Sequence, residues 1–137
     1  MSDSKKMPTS PHLQIYSWSI GSLTSIMHRL TGILLYVSVI IISWYIVYYT
    51  YQIGALESQE HCDCLMTKLM NILAIGASIA LTFSLYFHFF NGIRHLFWDI
   101  GKGFDKKQAQ TNGLLVIAAS KIFTVLTIIS VIYFNYY

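Results

Sequence analysis

Polar and apolar positions fall in long blocks along this chain, not in the short periods of half-buried strands or surface helices. No Asp, Glu, Lys or Arg occurs from Leu30 to Leu56 or from Leu69 to Ile93. A third apolar stretch, Leu114 to Tyr137, is interrupted only by Lys121. A helix needs roughly 20 apolar residues to cross the hydrocarbon, so each stretch is long enough, with slack for tilt. A helix also satisfies its own backbone groups at that depth, where water is absent. The pattern predicts an all-α integral membrane protein with three transmembrane helices, near residues 28–51, 68–97 and 114–136.

Residues 1–24 read as a polar, interfacial arm and residues 25–137 as the three-helix domain. The arm holds both prolines, Pro8 and Pro11, and its Ile15, Tyr16, Trp18 and Ile20 suit the headgroup level. The first helix is expected to start between Ser22 and Arg29, with an aromatic belt from Trp44 to Tyr51 at its outer end. On the second, Ala74, Gly76, Ala77, Ser78 and Ala80 would let another span approach closely. Asp99 to Asn112 reads as a loop, and Lys121 as the inner edge of the third helix.

Composition agrees. Hydrophobic residues make up 55% of the chain and charged residues 11%, less than half the ~25% usual in soluble domains. Lys5, Lys6, Arg29, Arg94, Lys102, Lys106, Lys107 and Lys121 fall on one side of the predicted spans, leaving Lys68 on the other with Glu57, Glu60 and Asp63. By the positive-inside rule the N-terminus faces the cytoplasm or matrix. Anionic lipid beside those lysines accounts for the net charge of +3, so no nucleic-acid partner is expected. No cleavable signal or Arg-rich transit segment is visible, which points to a bacterial inner membrane, or to an organelle-encoded chain of the mitochondrial inner membrane. Cys62 and Cys64, in His61-Cys62-Asp63-Cys64, supply too few ligands for a closed zinc site and read as an ordinary loop.

Ionisable residues inside spans are functional candidates, since burying them unpaired costs several kcal/mol. The candidates are His28, Arg29, His88, Arg94, His95 and Lys121. His88 lies roughly 15 Å from the inner surface at ~1.5 Å per residue. An imidazole there serves packing, proton relay or metal ligation. Gly92 and His95 share its helix face, and a glycine beside it opens a flat slot of the kind a planar macrocycle needs. His88 and His95 cannot flank one iron, because they lie ~10 Å apart and point the same way. His28, expected level with His95 at the inner interface, is equally unsuited. A second axial ligand must then come from another chain.

His28, Arg29 and His95 are expected to gather about two turns below such an iron, where haem propionates need cationic or hydrogen-bonding partners. Ser25 and Arg29 share a helix face, and a hydroxyl beside a guanidinium suits a quinone carbonyl. Arg94 is expected to snorkel to the interface.

Three motifs resemble the cytochrome b membrane-anchor subunit of succinate dehydrogenase, the larger of its two anchor chains. They are Ser10-Pro11-His12-Leu13-Gln14-Ile15-Tyr16, Ser25-Ile26-Met27-His28-Arg29-Leu30-Thr31-Gly32, and His88-Phe89-Phe90-Asn91-Gly92-Ile93-Arg94-His95-Leu96 followed by Asp99. Order, spacing and the three-span frame all agree. One departure is Met7-Pro8, where the family often has Arg-Pro; Lys5 and Lys6 lie close by.

The resemblance implies His88 as one axial ligand of a haem b shared with the smaller anchor subunit, whose histidine is the other. It implies Ser25 and Arg29 in the quinone site, and His28, Arg29 and His95 near the propionates. It further implies iron–sulfur and flavoprotein partners, with no dehydrogenase chemistry on this chain. A haem-free structural anchor and the anchor of a fumarate reductase are the alternatives.

Overall fold

The computed structural model describes residues 18–52 and 65–137. The Ser10–Tyr16 motif, Met7-Pro8 and the His61–Cys64 run lie outside the described residues. Three helices account for nearly all of the rest: α1 Ile20–Gln52, α2 Leu65–Asp99 and α3 Lys106–Tyr136. Each is long and apolar enough to cross a membrane. The described residues contain no strand.

Local signals set the helix ends. Ser19 precedes α1 and its hydroxyl accepts the Ser22 amide at 3.2 Å, which satisfies one of the unpaired first-turn donors. At the end of α2, the amide of Gly101 donates to Trp98 O at 2.8 Å and that of Lys102 to Phe97 O at 3.1 Å. This paired closure needs a left-handed residue, which Gly101 supplies with φ 79°. Trp98 Nε1 then donates to Gly103 O at 3.2 Å and ties the turn back to the helix.

Two boundaries differ from expectation. The first helix begins at Ile20, ahead of Ser22, and α3 begins at Lys106 within the run expected to be a loop. Lys106 to Ala109 contains good helix formers and no proline, so the helix propagates past the limit of its apolar stretch. Lys121 therefore lies midway along α3 and is exposed there, not at its inner edge.

The helices run up, down and up. Asn91 reaches Thr24, and His88 reaches His28, across the antiparallel α1–α2 pair. Tyr86 bonds Thr127 at 2.8 Å, and Phe90 packs on Phe123, across the antiparallel α2–α3 pair. The parallel pair α1 and α3 touches at buried Gly113, where a Cβ would stand 2.9 Å from Ile20 Cγ2 and 3.6 Å from Thr24 Cγ2. Only a residue without a side chain allows that approach.

The interior is polar and small. Phe87 and Val116 are the buried hydrophobic residues, whereas Thr24, Thr31, Ser84, Asn91, Arg94, Ser120 and Thr124 are buried polar ones. Hydroxyls bond carbonyls one turn back, as Ser120 does to Val116 O at 2.7 Å and Thr124 to Ser120 O at 2.7 Å. Such residues consume their own polarity and let backbones come close. The large apolar side chains point outward instead, an arrangement that suits a lipid solvent.

The small residues of α2 do not act as expected. A Cβ on Gly76 would meet nothing within 4 Å, and Ala74 to Ala80 are exposed. Close α2 contacts lie lower on the helix, from Ser84 to Arg94. Ala77 and Ala80 line a hollow of about 230 Å³ against Leu34 and Val37 of α1.

Candidate functional site

Three imidazoles meet on the α1–α2 face. The rings of His28 and His88 stack with centroids 4.0 Å apart and planes 10° from parallel. His95 lies on the other side of His28, with centroids 5.2 Å apart. His28 is therefore not level with His95 alone at the inner interface; it sits directly against His88. His28 is eight residues into α1, or ~12 Å from its start at 1.5 Å per residue, and the α1–α2 register sets its carbonyl against His88 Nδ1.

His88 is half-buried and held through one ring nitrogen. Its Nδ1 lies 3.2 Å from the backbone carbonyl of His28 and 3.4 Å from Thr31 Oγ1. Thr31 Oγ1 itself donates to Met27 O at 2.9 Å and His28 O at 3.0 Å. With a carbonyl as partner, Nδ1 carries the proton and Nε2 keeps its lone pair. That is the arrangement of a metal-binding histidine, whose second nitrogen donates to a carbonyl or carboxylate.

The glycine beside the His88 ring is Gly32 of α1, not Gly92. A Cβ on Gly32 would lie 3.0 Å from His88 Cε1, whereas one on Gly92 would lie 4.0 Å from His28 Cε1. Gly92 shares the helix face of His88, but side chains on a helix lean toward its N-terminus, away from the later glycine. His28 Nδ1 is buried without a hydrogen-bond partner among the described residues, an orphaned polar atom beside the ring that would bear a metal. Among the described residues no group of three or more His, Cys, Asp or Glu side chains is placed to hold a metal ion.

Arg94 does not snorkel. It is 4% exposed and reaches across all three helices. Nη1 donates to Thr24 Oγ1 of α1 at 2.6 Å and to Asn91 Oδ1 at 3.2 Å, and Nη2 to Ala109 O of α3 at 3.3 Å. Its guanidinium carbon also lies 4.2 Å from the Trp98 ring centroid. Asn91, a fully buried amide, donates in turn to Thr24 O at 3.4 Å. Asn91, Arg94 and Trp98 stand three and four residues apart, one helix face with one purpose, and that spacing was the available signal.

Ser25 and Arg29 face another way. Ser25 is half-buried and Arg29 exposed. Neither makes a hydrogen bond or ion pair among the described residues. Their shared face thus presents a hydroxyl and a guanidinium outward, beside the histidine cluster that begins at His28.

A family model described as succinate dehydrogenase/fumarate reductase transmembrane subunit matches residues 3–127. The chain is 38% identical over 121 residues to the succinate dehydrogenase cytochrome b556 subunit of Rickettsia felis, covering 88% of this chain and 90% of the relative. It is 34% identical over 122 residues to the subunit of that name from Paracoccus denitrificans, covering 89% of each. The human mitochondrial succinate dehydrogenase cytochrome b560 subunit is 37% identical over 116 residues, covering 80% of this chain and 63% of the relative.

Proposed function

The chain belongs to the family of succinate dehydrogenase/fumarate reductase transmembrane subunits, and from that premise we propose that it anchors a succinate:quinone oxidoreductase, holds one side of a b-type haem through His88, and lines the quinone site with Ser25 and Arg29. The observation that carries this reading is the bond from His88 Nδ1 to the His28 carbonyl, which fixes the tautomer and leaves Nε2 free to ligate.

When bound, the haem supplies a one-electron redox centre within the hydrocarbon. The chain's own residues do the rest. Gly32 keeps the His88 ring close to α1, and the orphaned His28 together with His95 offers ring nitrogens to propionate oxygens. Arg29 and Ser25 donate hydrogen bonds to a quinone carbonyl, on which negative charge develops during reduction. Electrons would come from succinate by way of flavoprotein and iron–sulfur partners, and a histidine of a smaller anchor subunit would hold the haem together with His88. Lys102, Lys106 and Lys107 about the α2–α3 turn support a reading in which that turn and the N-terminus face the cytoplasm or matrix, in a bacterial cytoplasmic or mitochondrial inner membrane.

A haem-free anchor is the competing reading, and the His28–His88 stack at 4.0 Å favours it, because the rings pack well alone. Gly32→Val separates the two. The new side chain would push into His88 Cε1 and break the Nδ1 bond. Loss of such a supporting bond lowers metal-centre affinity by about 10–100-fold. Haem per purified complex should therefore fall sharply while the subunits still copurify. Normal haem content in the variant, or a wild-type complex without haem, would count against the proposal.

A further inference from the structure

The residues of α1 that the bundle buries are two threonines, Thr24 and Thr31. They lie seven residues apart and so share one helix face. Thr31 meets His88, with Oγ1 3.4 Å from Nδ1. Thr24 is held more fully. Its Oγ1 accepts from Arg94 Nη1 at 2.6 Å, and its carbonyl accepts from Asn91 Nδ2 at 3.4 Å. Its methyl group faces Gly113 of α3, where a Cβ would stand 3.6 Å away. Thr24 is completely buried among these groups.

Ser25 and Arg29 occupy the stretch between the two threonines, on a different face. Consecutive helix residues point ~100° apart. Burying Thr24 against α2 and α3 therefore turns Ser25 outward, and Arg29 follows it one turn later. Little else holds this part of α1. Ser25 stands five residues from the helix start, close to an end that frays when nothing ties it down. Leu23, Ile26 and Leu30 are exposed there. A threonine gripped through both of its polar groups fixes the helix in rotation and in height at once.

We propose that Asn91 and Arg94 are positioning residues of the quinone site, acting through Thr24 to set the direction of Ser25 and Arg29. Both are buried in the bundle and act from behind the outward face. The inference rests on the proposed assignment of Ser25 and Arg29 to the quinone. Two donors on one helix reach one carbonyl only while that helix keeps its rotation, and a misplacement near 1 Å can cost about a hundredfold in rate. Thr31 meets His88 at its own level, so haem binding does not share this dependence.

The test is Thr24→Val in the complete complex in mild detergent, with rates expressed per assembled complex. Valine keeps the buried shape and the methyl group facing Gly113 but removes the acceptor for Arg94. The KM for decylubiquinone should rise about tenfold, equivalent to ~1.4 kcal/mol. Haem absorbance and dye-linked succinate oxidation should keep their wild-type values. Thr24→Ser retains the hydroxyl and should restore the KM. Asn91→Leu, which frees the Thr24 carbonyl instead, should also raise the KM in the complex that assembles, so the test does not hang on one variant. Added to Arg29→Leu, Thr24→Val should cost far less than its own tenfold, because both changes act on the same contact. A wild-type KM in Thr24→Val or Asn91→Leu, a KM as high in Thr24→Ser as in Thr24→Val, or losses that multiply in the double variant would overturn the inference. Intact quinone reduction in Arg29→Leu alone would instead refute the quinone assignment beneath it.

Discussion

Arg29→Leu should lower quinone reduction by the assembled complex by about a hundredfold, the loss typical when one donor to a developing oxyanion is removed. Succinate oxidation measured with a soluble dye should stay at its wild-type rate, because the proposed function assigns that reaction to the partner subunits. The expectation rests on exposure without partners: Arg29 faces out of the bundle and bonds nothing among the described residues. Removing it therefore breaks no internal contact, and any loss of activity belongs to the outward face it shares with Ser25. Arg29→Lys keeps the charge without the fork, and should give an intermediate rate with a raised KM for quinone. Unchanged quinone reduction in Arg29→Leu would remove both residues from the quinone site.

Asn91→Leu should destabilise the three-helix bundle by about 2–3 kcal/mol, the upper range for losing a hydrogen bond to a charged group. Asn91 is fully buried, accepts from Arg94 Nη1 and donates to Thr24 O. Leucine leaves the guanidinium in place with one acceptor fewer and no water to replace it. The thermal midpoint of the complex in detergent should fall, and less of this chain should copurify with its partners. Asn91→Asp keeps the acceptor for Arg94 Nη1 but loses the amide donor to Thr24 O, so it should recover only part of that loss. If Asn91→Leu were as stable as wild type, the Thr24–Asn91–Arg94 knot would not be what joins α1 to α2.

The three spans were legible in the sequence because lipid imposes one strong rule, that apolar length at least matches the hydrocarbon. Charge-free runs from Leu30 and Leu69 meet that rule unaided. His88, His28 and His95 were legible as a set for the same reason, as each is expensive at its depth. Their arrangement was not. It depends on the register between α1 and α2, which the contacts of His88 with His28 O and of Asn91 and Arg94 with Thr24 set. Gly32 went unassigned because its partner lies on another helix, and spacing along one helix says nothing about register between two.

Arg94 was misread for a related reason. Near a helix end, an arginine reads as snorkelling unless its acceptors are known, and two of its three acceptors lie on α1 and α3. Asn91 carried the clue. An amide in the middle of a span has no use for lipid and needs a polar neighbour. Lys121 illustrates the opposite limit, since α3 extended inward past the end of its apolar run and left the lysine mid-helix.

The central claim is that His88 ligates iron through the nitrogen left free by its bond to the His28 carbonyl. The most direct measurement is the reduced-minus-oxidised absorption spectrum of the purified complex, wild type against His88→Leu. A low-spin b-type spectrum in the wild type that vanishes in a variant still holding its subunits and dye-linked succinate oxidation is the predicted result. An identical spectrum from the two proteins would contradict it, and would place the iron on other ligands altogether.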